Sequence, residues 1–142
     1  MNGRIKVAQW LVGLGCLVLF VGAGLHLAAG YPRISKVLAV TPLDAGFRGA
    51  LRAVFLVLGW EWIVLGVIVL IAAFTETRIR KTVVLIGGLA MLVDAVVMAK
   101  LIGWFVGTDM ILVSGLLVFA GGLAFASSRA RVEEPAMSSR TA

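Results

Sequence analysis

The sequence predicts an all-α integral membrane protein: an antiparallel, up-down-up-down four-helix bundle with both termini in the cytoplasm. Three observations carry that prediction. Of the 142 residues, 61% are apolar and 14% charged, against about 45–50% and about 25% in soluble domains. Four apolar stretches each reach the ~20 residues that cover ~30 Å of hydrocarbon at ~1.5 Å per residue. The basic residues gather in short clusters between those stretches, as a topology signal does. The net charge of +6 is therefore not spread over a folded polar surface, and no nucleic-acid partner is expected. A strand barrel would alternate in blocks of ~10 residues, whereas these runs are continuous. Lipid offers backbone groups no outside partners, which leaves helices.

The first span covers about residues 9–29 and holds His26 as its ionisable group. Its apolar run is too long for the ~7–15-residue core of a signal peptide. The stretch Gly13-Leu14-Gly15-Cys16 has the ending of a lipoprotein box, but Gly13 stands where a larger aliphatic residue belongs. Cys16 is expected to be a buried helix residue. As the one cysteine of the chain, it excludes an internal disulfide framework and a Cys-based metal site.

The connection from Gly30 to about Thr41 is the longest, and its mixed stretch Ile34 to Val40 is expected along the membrane surface. Thr41-Pro42-Leu43-Asp44 then reads as a helix start, with a hydroxyl cap, Pro at the first position and an acid in the first turn. The second span, about residues 42–74, carries Arg48, Arg52 and Glu61; at ~1.5 Å per residue it is ~50 Å long and must tilt or project. The third, about 82–104, carries Asp94 and Lys100, and the fourth, about 109–126, has no charge after Asp109. One domain thus covers 1–127, and residues 128–142 read as a polar, disordered cytoplasmic tail.

Arg4, Lys6, Arg78, Arg80, Lys81, Arg129, Arg131 and Arg140 fall on one side, and Arg33, Lys36 and Arg48 on the other. The richer side is expected in the cytoplasm, in a multi-pass protein of a bacterial inner membrane. Gly15 and Gly22, Gly59 and Gly66, and Gly115 and Gly122 form stripes along their helices. Small residues let helices approach closely in lipid, and this repeat suits a left-handed bundle.

Charged groups inside a membrane are costly and so are candidate site residues. Counting from the outer boundary, Glu61 lies ~16 Å deep and Asp94 ~15 Å deep, at one level near the midplane. Two facing carboxyls cannot both ionise cheaply there. They either fix helix register by hydrogen bonding or share a proton and, with His26, serve as general acid and base. His26, Arg52 and Lys100 are candidates for holding an anionic headgroup, although Lys100 also fits a snorkelling role, and Arg48 is a further ligand-binding candidate. Trp60 and Trp62 flank Glu61 and either wall a pocket or face lipid; Trp104, like Trp10, fits an interfacial belt and stands at the pocket's outer edge. No metal site is expected, and no cofactor is indicated. The sequence has no phosphate loop, His-Glu-x-x-His, nucleophile elbow or two-cysteine redox pair.

Phe47-Arg48-Gly49-Ala50-Leu51-Arg52, then Gly59-x-Glu61 and Gly66, resembles the second helix of the DoxX-like group of small four-helix membrane proteins. The resemblance covers residues 47–66. It implies a four-helix membrane fold and an accessory role beside membrane redox or quinone-linked complexes, and it touches Arg48, Gly59, Glu61 and Gly66.

Two functions follow as expectations. In the first, the chain is an accessory or assembly subunit that docks on other membrane subunits, or on copies of itself, through glycine-lined faces. In the second, it is a membrane enzyme or binder for a sterol- or quinone-like lipophilic ligand. Glu61, Asp94 and His26 then act in an outward-opening pocket lined by Arg48, Arg52, Trp60, Trp62, Lys100 and Trp104.

Overall fold

The computed structural model describes residues 3–76 and 78–133, with side chains as far as 126. The described chain is helical throughout: α1 (Gly3–Leu25), a π-helical turn (His26–Gly30), α2 (Tyr31–Val40), α3 (Ala45–Phe74), α4 (Arg80–Leu101) and α5 (Val106–Glu133). Four rods are long and apolar enough to cross a membrane: Gly3–Val40, Ala45–Phe74, Arg80–Leu101 and Val106–Ala126.

The largest departure from expectation is the stretch after Gly30, which is helical and continues the first rod as far as Val40. Pro32 follows the π turn and sits in the first turn of α2. A proline ring crowds the carbonyl one turn back and gives no N–H to it. In the wider turn the Tyr31 N–H instead donates to the His26 carbonyl, so the helix passes Pro32 without breaking.

The start of the second span also shifts. Thr41 closes α2, its hydroxyl donating to the Val37 carbonyl at 2.7 Å. Asp44 is the true N-cap, its carboxylate accepting from the Phe47 N–H at 2.9 Å. Thr41 and Pro42 thus belong to the turn before the helix. At the other end of the bundle α4 stops at Leu101, and Gly103 turns the chain with φ +100°, a conformation glycine adopts without a Cβ clash. The fourth helix begins at Val106 and continues to Glu133, past the expected start of the tail; the rest of that tail, 134–142, lies outside the described residues.

α5 is the hub, packing broadly against both α1 and α4, while α3 lies against α1 and, more lightly, α4. Val12, Cys16, Leu19, Val69, Val84 and Met91 belong to the shared core. The glycines are where the rods touch. A β-carbon on Gly15 would lie 2.8 Å from Val118, one on Gly66 2.6 Å from Phe20, and one on Gly122 2.7 Å from Leu85. Gly22 faces Met110, and Gly121 faces Val12 and the Ala8 carbonyl. Polar side chains bridge the seams by donating to helix carbonyls: Ser114 to Gly15 at 2.5 Å, Cys16 to Gly66 at 3.6 Å and Gln9 to Ala73 at 3.3 Å. The Arg80 guanidinium lies 4.6 Å above the Phe125 ring. Large apolar side chains such as Val57, Ile71, Ile86 and Val96 are more than half exposed, a surface suited to lipid.

Candidate functional site: an apolar cavity beside His26

The π turn and α3 hold a histidine between them. His26 donates from Nε2 to the Phe55 carbonyl at 2.8 Å; a carbonyl oxygen only accepts, so this nitrogen carries the proton. The ring stacks on Phe55, with centroids 3.8 Å apart and planes 11° from parallel. The Trp62 ring meets it edge-on at 5.0 Å. The tip of the Phe55 ring lies against Gly30, where a β-carbon would stand 3.1 Å from it. Gly30 and Gly59 thus make room for the aromatic pair.

Beside this ring lies a cavity of about 370 Å³, lined by His26, Phe55, Trp62, Met98, Phe105 and Met110 among others. Its volume falls within the ~300–1,000 Å³ of small-molecule sites, and its apolar wall with few polar groups has their character. Leu19, Trp62 and Ile111 form a buried floor, while Ile102 and Val106, around the α4–α5 turn, are exposed at its rim. A second hollow of about 540 Å³ lies along α1 between Lys6 and Leu17, with Phe74 across from it. Its walls include Trp10, Leu17 and Phe74, all more than half exposed, so it is a groove in the lipid-facing surface.

Of the candidate site residues, His26 and Trp62 line the cavity and Glu61 and Asp94 do not. This cavity thus reaches the histidine and not the carboxyls. Glu61 is exposed and Asp94 half-buried, and the two interact electrostatically. Trp62 is 3% exposed. Its indole N–H interacts with Asp94 electrostatically but is outside hydrogen-bond geometry.

The remaining candidates serve elsewhere. Arg48 and Arg52 donate to the Ala39 and Ser35 carbonyls at 3.3 and 3.2 Å, placing the Arg48 guanidinium at the C-terminal end of α2, where the helix dipole favours a cation, and that of Arg52 at its middle. Trp60 and Trp104 are 60% and 65% exposed, and Lys100 is exposed in the last turn of α4; none of these five lines the cavity. Among the described residues, no group of three or more His, Cys, Asp or Glu side chains is placed to hold a metal ion.

Phe55, Met98, Phe105 and Met110 are cavity residues that apolar patterning does not separate from ordinary core. The available signal was the pairing of Pro32 with the glycines at 30 and 59, which marks an irregular helix crossing. No protein family, curated protein or solved structure was found to match the chain.

Proposed function

We propose that the protein is a multi-pass protein of a bacterial cytoplasmic membrane that binds a lipophilic small molecule in the His26 cavity. The carrying observation is the apolar, one-sided opening beside a histidine whose stacking and hydrogen bond fix its orientation. Its helices run up-down-up-down. Supporting this order, Gly15 meets Ser114, Gly22 meets Met110, and Gly121 meets Val12, so α1 and α5 contacts descend as the other's numbering rises. Gln9 meets Ala73, and Arg80 meets Phe125, which gathers the basic segments near Lys6 and Arg80 at one end. The positive-inside rule then puts that end in the cytoplasm and the cavity in the outer half of the membrane.

An accessory role beside other subunits, the one implied by the DoxX-like resemblance, finds less support. Gly15, Gly59, Gly66, Gly87, Gly115 and Gly122 already receive side chains of the same chain. Gly13 and Gly24 have nothing within 4 Å and are what α1 offers to a docking helix.

Saturation binding of a radiolabelled long-chain alkylphenol to the protein in nanodiscs tests the ligand reading. One saturable site is expected, abolished in Gly22→Phe, which fills the cavity, and retained in Gly13→Phe, which fills the surface groove. Equal binding by the wild type and Gly22→Phe overturns it.

A further inference from the structure

Resting on the cavity reading, we infer that the ligand is a hydroxyl donor, a lipophilic phenol, quinol or alcohol, and that His26 Nδ1 accepts its proton in a hydrogen bond. The argument starts from the ring's commitments. Nε2 donates to the Phe55 carbonyl, so in the neutral imidazole Nδ1 is left with a lone pair and no proton. The edge made by Nε2 and Cδ2 is turned into α3: the first touches Phe55, and the second stands 3.1 Å from where a Gly59 β-carbon would be. The opposite edge, Nδ1 and Cε1, therefore faces away from α3. His26 lines the cavity, and that edge is the part of the ring left to line it.

Two other polar groups stand near His26. The Trp62 N–H is buried and makes no hydrogen bond, interacting with Asp94 only electrostatically, and the neighbouring Thr108 hydroxyl, fully buried, donates to the Gly103 carbonyl at 3.4 Å. At the His26 edge, an acceptor set in an apolar wall discriminates by hydrogen-bonding sign. A hydroxyl satisfies the lone pair. A ketone, a quinone or an ether places oxygen against nitrogen with no proton between them, which leaves two desolvated acceptors unpaired. Reduced and oxidised forms of one ring system are thereby distinguished by a single atom.

The test compares an alkylphenol, its methyl ether and an aryl ketone of matched size on the full chain in nanodiscs. The phenol is expected to bind the wild type at least about tenfold more tightly than the other two, the factor that one hydrogen bond in a dry site commonly supplies. In His26→Phe the three should converge on the affinity of the ether. Three equal affinities in the wild type, or a preference for the ketone, overturn the donor assignment while the cavity stands. The absence of any saturable binding overturns the cavity reading itself. His26 is the one histidine of the chain, so 15N-histidine spectra of the wild type give a second readout independent of the variant's folding. An unprotonated Nδ1 signal that shifts with phenol and not with ether supports the assignment, and a protonated Nδ1 in the free protein overturns it.

Discussion

The His26 ring rests on the backbone of Gly59. A β-carbon at Gly59 would stand 3.1 Å from Cδ2 of His26 and 2.6 Å from Cδ2 of Leu27, so the absence of a side chain on α3 is what lets the π turn lie against it. From that position Nε2 reaches the Phe55 carbonyl, one helical turn before Gly59.

Gly59→Val should therefore push the π turn off α3. Overpacking of this kind costs about 1–3 kcal/mol, and the Tm in detergent should fall by several degrees, with Gly59→Ala intermediate. Gly49→Ala, on the same helix with nothing within 4 Å, provides the contrast. Its stability should stay level or rise by up to ~1 kcal/mol from helix propensity. Equal Tm values for the Gly59 and Gly49 variants would remove the contact from the account.

The carboxyls yield a second prediction. Glu61 and Asp94 act on each other and lie outside the cavity lining. Like charges in a low-dielectric setting oppose one another. Glu61→Gln should leave alkylphenol affinity within about twofold of the wild type, since one hydrogen bond in a dry site is worth about tenfold. It should also leave the Tm level, because Glu61 is exposed on α3. A loss of binding of about tenfold or more would return the carboxyls to the ligand site.

How far the sequence discloses this arrangement depends on what sets each feature. Hydropathy is averaged over whole helices, so the four spans are legible. A fixed rise per residue sets Glu61 and Asp94 at similar heights along their helices, and the two do interact electrostatically. The rotation of each rod is harder, because one apolar face looks like another in a segment solvated by lipid. Trp60 and Trp62 show it: they point to different sides of α3, and packing against His26 decides that Trp62 is inside. The π turn was hidden for a different reason. Tyr31-Pro32 after Gly30 is as good a signal for a loop as for a widened helix, and the tertiary fit of Phe55 between His26 and Gly30 selects the helix.

Cys16 supplies a third prediction. It is fully buried, and its thiol donates to the Gly66 carbonyl across the α1–α3 seam. A membrane-permeant maleimide should fail to modify it in the folded protein and should react to completion once SDS has opened the bundle. Ready labelling in mild detergent would mean that the α1–α3 contact opens without global unfolding.

The contacts of α5 with α1 and α4 give the sharpest contrast between a polar bridge and a steric one. A β-carbon on Gly88 would lie 2.6 Å from the Phe119 backbone nitrogen and 2.8 Å from its α-carbon. Backbone cannot rotate out of the way as a side chain can, so Gly88→Val must separate the two helices. The same separation would loosen the neighbouring contacts of Gly115 with Leu92 and Gly122 with Leu85. Ser114→Ala, by contrast, removes one hydrogen bond to Gly15 and leaves the helix spacing intact. Interhelical hydrogen bonds in membranes average only ~0.6 kcal/mol, so this variant should fold with a Tm close to the wild type. Gly88→Val should be lost to aggregation on size-exclusion chromatography, and Gly24→Val, with nothing within 4 Å, should elute as the wild type does. If Ser114→Ala were the more damaging of the two, polar bridging and not close backbone approach would be what holds α5 at the centre of the bundle.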